Sequence, residues 1–451
     1  MSEPWFEECL TGMKTYWIWY WTGMLPPRHS SKGYHPIPAR KVCHVSTKLE
    51  PAQLEGLLAT RALAARPSEV RKVFGAAARP GMISFAGGSP FLGLLPFEQI
   101  AADAARIIAE RGAEAFQYGA SQGIESLREH IVQIMQIEGI CADKDEVIVS
   151  TGSQQALDTV ARILINPGDV VLAEGPSYAG GMAVFSSYEA QIIHVPSDRD
   201  GLIPEELSRV IAQTRAAGKT IKGLYTIPNF QNPGGTNLSA ERRMEVGQIC
   251  RAEGLLIFED NPYGLLGFEG QTMRAIQPDF ADITLYFGSF SKMFAPGLRL
   301  GWVLAPQALR GYIINASETA QLNPSVLNQL IMSAYLDDPR WKDTLKTYQG
   351  VYKEKFEALV QALELHMPEG TTWNVPDGGF YCWITLPKRL DANALVGTCI
   401  ERGAVYVPGV AFFTDDKGRN ELRMSFCGPD PQSIARGVQI VGQVFREALA
   451  G

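Results

Sequence analysis

The sequence has no Cys-x-x-Cys pair. Its seven cysteines (Cys9, Cys43, Cys141, Cys250, Cys382, Cys399 and Cys427) are odd in number and far apart. That spacing excludes a cysteine-rich zinc site and a disulfide framework, and it is the usage expected in a reducing cytoplasm. Basic residues form no long run and the net charge is −7 over 451 residues, which argues against a general nucleic-acid binder. The dense aromatic run Tyr16–Trp21 is too short to cross a bilayer. It also lacks the aliphatic core and small-residue cleavage site of a signal peptide. There is no internal repeat, no Gly-x-x-x-x-Gly-Lys loop and no Gly-x-Ser-x-Gly elbow. Those absences remove nucleotide hydrolysis and elbow-type acyl transfer. Ser289-x-x-Lys292 fits a penicillin-recognising motif, but its Ser-Asp-Asn and Lys-Thr-Gly companions are missing.

What is present is an ordinary globular composition, 46% hydrophobic and 20% charged, long enough for one large and one small domain. Residues 1–50 read as an irregular N-terminal extension, 51–95 as an arm with part of the small domain, 96–335 as a large domain and 336–451 as a small C-terminal one. Leu54 to Ala78 is Ala-rich and helical in pattern, broken at Pro67–Val70 with Ser68 as a cap. In the centre, strand candidates Glu146–Ser150, Val170–Ala173, Gln191–Val195, Gly223–Ile227, Leu255–Phe258, Ile283–Phe287 and Gly301–Leu304 alternate with helices. This alternation predicts an α/β fold, a mainly parallel sheet wrapped by helices. The tail, with strands at Gly378–Ile384 and Leu422–Phe426 and helices at Ala392–Arg402 and Pro431–Leu449, predicts a smaller α+β domain.

In such sheets ligands bind beyond the carboxyl ends of the strands, and the notable polar residues fall there. Gly288-Ser289-Phe290-Ser291-Lys292, with Arg299 seven positions on, follows an apolar strand. Burial lowers an amine's pKa enough to form an imine, and hydroxyls with a guanidinium suit a phosphate ester. The pairing points to pyridoxal phosphate. Thr151-Gly152-Ser153-Gln154 opens a helix, where free N–H groups attract an anion and Ser153 is positioned to cap. Glu259-Asp260 ends a buried strand, and a carboxylate facing a pyridine nitrogen keeps it protonated and the ring electron-poor. Asn232, in Pro228–Gly235, and Tyr263 are donors suited to a ring oxygen. Tyr178 is placed to stack on a flat ring, and Arg423 to grip a carboxylate. Alone, each is equally a cap, a turn or a core residue; together they select one chemistry.

These motifs, in order from about Arg61 to the end, resemble the fold-type-I pyridoxal-phosphate-dependent aminotransferases of class I/II. The likeness is strongest to the branch of the 2-aminoadipate and kynurenine aminotransferases. The resemblance implies that Lys292 is the imine-forming lysine and proton shuttle and that Asp260 is the partner of the ring nitrogen. Asn232 and Tyr263 would hold the ring oxygen, Tyr178 would stack, and Ser153, Gln154, Ser289, Ser291 and Arg299 would bind the phosphate. Tyr118 would reach the phosphate of a neighbouring subunit in a homodimer. Arg423, Asn232 and the Gly88 backbone would contact an amino-acid substrate, with Arg71 facing a distal acid. No metal, nucleic acid or membrane partner is expected. Ser89 and Phe91–Pro96 depart from the family pattern beside the substrate, and residues 1–50 have no counterpart. Alternatives on this scaffold are β-elimination, decarboxylation, or an aminotransferase-like transcription regulator; the short, aromatic and weakly basic N-terminus does not favour the last.

Overall fold

The computed structural model describes residues 51–64, 73, 75–415 and 417–450. The extension expected over 1–50, the break at Pro67–Val70 with its Ser68 cap, and Arg71 lie outside the described residues. The chain divides after Leu58 into two units. In the first, Pro51–Glu55 forms a short helix, α1.

The second unit carries the strands β1 (Ile83–Ser84), β2 (Val147–Ser150), β3 (Val170–Gly175), β4 (Gln191–Asp198), β5 (Gly201–Leu202), β6 (Ile221–Thr226) and β7 (Leu256–Asp260). These are followed by β8 (Thr284–Ser289), β9 (Gly301–Leu304), β10 (Thr372–Trp373), β11 (Tyr381–Thr385), β12 (Ala404–Val405), β13 (Val407–Pro408) and β14 (Glu421–Ser425). Its helices are α2 (Thr60–Ala64), α3 (Phe97–Ala115), α4 (Glu125–Ile137), α5 (Ser153–Leu164), α6 (Ala179–Ser187), α7 (Pro204–Ala216) and α8 (Ala240–Ala252). After them come α9 (Gln307–Gln321), α10 (Val326–Asp337), α11 (Trp341–His366), α12 (Ala392–Glu401) and α13 (Pro431–Ala450).

The large sheet runs β2-β9-β8-β7-β6-β3-β4-β5. Its contacts are parallel except where β9 runs against β2 and β8, and β5 against β4. Both faces are covered, so successive residues alternate between two cores. On β3, Val170 and Leu172 join the α7 and α8 side chains Leu207, Val210 and Val246, while Val171 and Ala173 join the opposite core with Phe185 and Phe258. This is the α/β arrangement the alternation predicts. The smaller sheet, β10-β11-β14-β13, is antiparallel. Helix α11 packs against α13 nearby.

Local departures have local causes. The expected strand at Gly378 starts only at Tyr381, because Gly379 takes φ 71°, a left-handed turn conformation. The two-residue β5 carries too little pattern to be read from sequence.

Register places the site. Gly301, which starts β9, lies opposite both Ser150, the end of β2, and Ser289, the end of β8. The reversed β9 therefore delivers Arg299, two residues before it, to the edge where β2 and β8 finish.

Candidate active site

The strand ends surround one cavity of about 460 Å³. Gly88, Ser153, Gln154, Tyr178, Asn232, Asp260, Tyr263, Ser289, Ser291, Lys292, Arg299 and Arg423 all line it. Tyr118 does not; its side chain is 75% exposed.

One end of the cavity is an anion cradle. Helix α5 begins at Ser153, with Gly152 at the cap position at φ 81° and no side-chain cap bond. The expected capping role of Ser153 is thus not the one adopted: its backbone and hydroxyl are left at the open helix end. A Cβ at Gly152 would overlap the Arg299 guanidinium, so only glycine lets the two approach. Arg299 donates to Ser291 Oγ (3.4 Å), Pro296 O (3.2 Å) and Thr151 O (3.3 Å). Its own backbone is left-handed (φ 52°, ψ 54°), a strain of the kind that persists where the surroundings hold it. Ser291 N–H donates to Ser289 Oγ at 3.1 Å. Tyr178, the residue before α6, reaches Gln154 Oε1 at 3.3 Å, and burial pushes its phenol up to about 12.

On the floor, Asp260 is 3% exposed. Its Oδ2 accepts from Tyr225 Oη at 2.7 Å, while Oδ1 is buried with no partner. Burial raises this carboxyl to about 6, against the pull of the Tyr225 hydroxyl and the Lys292 charge. Lys292 Nζ donates to Gly88 O at 2.8 Å. Desolvation holds the amine below the usual lysine range, reinforced by Arg423 and Arg299 and opposed by Cys427 and Asp260.

The other end is built from β14 and the turn after β6. Arg423 lies level with Trp383 on β11 and Val407 on β13. It donates to Asn232 Oδ1 (2.8 Å) and Ala86 O (2.5 Å), and its Nε is buried without a partner. Its guanidinium carbon sits 4.3 Å from the Tyr381 ring centre and 4.8 Å from that of Phe412. Asn232 Nδ2 approaches Tyr263 Oη at 3.5 Å, which in turn contacts Tyr381 Oη at 3.3 Å. A Cβ at Gly88 would run into Tyr381 Oη.

Sequence reasoning missed Tyr225, Tyr381 and Phe412. Each reads as a core aromatic within or beside a strand. For the two tyrosines the available signal was that a buried hydroxyl needs a hydrogen-bond partner; Phe412 offered none.

These residues fit pyridoxal phosphate. The orphaned Asp260 oxygen suits a protonated ring nitrogen, the cradle suits a phosphate, and the desolvated Lys292 amine suits an aldehyde. The fold and the cavity together define a fold-type-I enzyme of this cofactor. Residues 81–441 match the family model "Aminotransferase class I and II". The chain is 32% identical to aromatic-amino-acid aminotransferase 1 of Thermococcus litoralis, over 89% of this chain and 97% of that one. It is 34% identical to the 2-aminoadipate transaminase of Thermus thermophilus, over 85% and 95%. The solved kynurenine aminotransferase of Pyrococcus horikoshii superposes with a TM-score of 0.83 at 32% identity, covering 88% of this chain and 98% of that one. The chain belongs to the class I and II aminotransferases, in the branch of the aromatic, 2-aminoadipate and kynurenine enzymes. It is a transaminase and its cofactor is pyridoxal phosphate.

Proposed function

We propose that this enzyme moves the amino group of an aromatic, 2-aminoadipate or branched-chain L-amino acid to a 2-oxo acid, 2-oxoglutarate being the preferred acceptor. The observation that carries this reading is the pairing, in one cavity, of an unpartnered buried oxygen on Asp260 with the desolvated amine of Lys292. Pyridoxal phosphate, when bound, supplies an aldehyde for the amine and a ring that draws electrons from the amino acid's α-carbon. The chain's own residues then bind and move protons. Asp260 holds the ring nitrogen, and Asn232 with Tyr263 holds the ring oxygen. Ser153, Gln154, Ser289, Ser291 and Arg299 hold the phosphate, and Tyr178 covers the ring face. Arg423 takes the α-carboxylate, and Lys292 Nζ accepts the α-proton and later returns it, which requires its neutral form. The apolar side of the cavity, with Tyr178, Tyr381, Phe412 and Ile227, favours large side chains.

A homodimer in the cytoplasm follows from the same reading. The aromatic side chains Phe116 (69% exposed) and Tyr118 stand out from the loop after α3, a surface that a second copy would cover. Tyr118 would then complete the neighbouring copy's phosphate cradle. The five described cysteines are all free thiols, as a reducing compartment keeps them. Among the described residues, no helix is long and apolar enough to cross a membrane.

The test is a panel of amino donors against 2-oxoglutarate, with glutamate and the new oxo acid both quantified. Matched formation of the two is expected. Ammonia or carbon dioxide release without glutamate would assign elimination or decarboxylation instead.

A further inference from the structure

His194, on β4, bridges two backbone groups that belong to different parts of the fold. Its Nδ1 lies 2.9 Å from Glu174 O on β3, and its Nε2 lies 3.1 Å from the Thr414 N–H. A carbonyl oxygen only accepts, so Nδ1 carries the hydrogen; a backbone N–H only donates, so Nε2 offers its lone pair. The two partners together specify the neutral Nδ1–H imidazole.

Thr414 ends a strap that begins with the short 3₁₀ turn Gly409–Phe412. The strap is tied to the large sheet at further points: Thr414 Oγ1 to Ile192 O (3.3 Å), Phe412 O to the Ser177 N–H (3.0 Å), and the Phe413 ring 5.4 Å from the His194 ring. Phe412, in the same strap, is 1% exposed, packs edge-on to Trp383, and lies against Arg423 in the cavity wall. A histidine that merely filled space would not need both partners.

We propose that His194 is a positioning residue: its neutral Nδ1–H form fastens the Phe412–Thr414 strap to β3 and β4, fixing Phe412 over Arg423 and so setting the affinity for the substrate carboxylate. The inference rests on the reading of Arg423 as the carboxylate grip. A second proton on Nε2 would face the Thr414 N–H, donor against donor, and release the strap. Burial keeps the imidazole below its usual range; of the charged groups around it on the strap, Asp415 opposes this and Lys417 assists. The Glu174 carboxylate turns the other way, to Thr226 Oγ1 and the Ile227 N–H.

The test compares three holoenzymes: wild type, His194→Phe, which keeps a ring and loses both bonds, and His194→Gln, which carries one donor and one acceptor and does not titrate. In His194→Phe the KM for amino donors should rise about tenfold, the scale of one or two lost hydrogen bonds, with kcat within about threefold and the cofactor absorbance unchanged. In His194→Gln the KM should stay near the wild-type value at about pH 7, and the rise in KM expected of the wild type from about pH 7 towards about pH 5 should be absent. An unchanged KM in folded His194→Phe overturns the proposal. Should that variant not fold, a wild-type acid limb persisting in His194→Gln overturns it equally. A wild type without transaminase activity would instead sink the reading of the site itself.

Discussion

Tyr225 on β6 reaches diagonally across to Asp260 on β7, two residues beyond its register partner Phe258, hydroxyl to carboxylate at 2.7 Å, and the contact leaves the second carboxylate oxygen free at the cavity floor. The tyrosine thus steadies the acid without occupying the oxygen that faces a ligand. Replacing it should show how far that arrangement matters. In Tyr225→Phe, Asp260 loses the hydrogen bond that offsets its burial, so its carboxyl should move above about 6. We expect pyridoxal phosphate to bind about tenfold more weakly, one buried hydrogen bond's worth. Titration of the cofactor, followed by absorbance, measures it; unaltered binding would show that Tyr225 is only core.

Lys292→Ala removes the amine that sits 2.8 Å from Gly88 O. Transamination should fall by roughly 10³-fold or more, in the range of lost proton-transfer catalysis, and the imine absorbance band should disappear. Retention of both would place the chemistry elsewhere.

Arg423→Ala should raise KM for all amino donors by the equivalent of roughly 2–5 kcal/mol, the scale for a desolvated charged pair. Arg423→Lys should recover little, because a point ammonium cannot hold a carboxylate by two parallel bonds. Steady-state kinetics over several donors decides; an unaltered KM would exclude a carboxylate contact.

Arg243 underlies the turn that carries Asn232. It is 4% exposed and donates to Leu238 O (2.8 Å), Pro228 O (2.8 Å) and Asn229 Oδ1 (2.7 Å). Arg243→Met strands these acceptors, and we expect a loss of roughly 3 kcal/mol or more in urea unfolding. A change below about 1 kcal/mol, the size of an ordinary hydrogen bond, would mean that the turn holds itself.

Glu138 is buried and accepts from Asn261 Nδ2 (2.6 Å) and Tyr286 Oη; burial raises its carboxyl from 4.5 to about 7. Between those two values the unfolded chain ionises while the folded one keeps its proton, so rising pH favours unfolding. The wild type should therefore lose about 3 kcal/mol relative to Glu138→Gln as pH goes from about 4.5 to about 7, and nothing further above that. Denaturant midpoints for both proteins across this range test it. A difference that does not vary with pH would show that the group titrates alike in both states.

The central strands were legible because a sheet covered on both faces writes continuous apolar runs, as in β3 and β8, with polar residues where the apolar run stops. Ser289, Lys292, Asp260 and Asn232 sit at such stops, which is why local pattern found them. The apolar run Val170–Ala173 locates β3, yet nothing in it says that β6 will lie on one side and β4 on the other. Tyr225 and Tyr381 stayed hidden for that reason: their hydroxyl partners, Asp260 on β7 and Tyr263 in the loop after it, come from other parts of the chain.

The chain's own order of residues determined which segments bury themselves, where each strand ends, and therefore which polar groups wait at the carboxyl edge; these follow from short-range periodicity and from the chemistry of lysine, carboxylate and guanidinium. Only the tertiary structure decided who meets whom. The reversed β9 set Arg299 against Gly152, β14 brought Arg423 to Asn232 across 191 positions, and His194 found Thr414 across 220. Such contacts depend on strand order and direction, which are settled by packing over the whole sheet and not by any window of sequence.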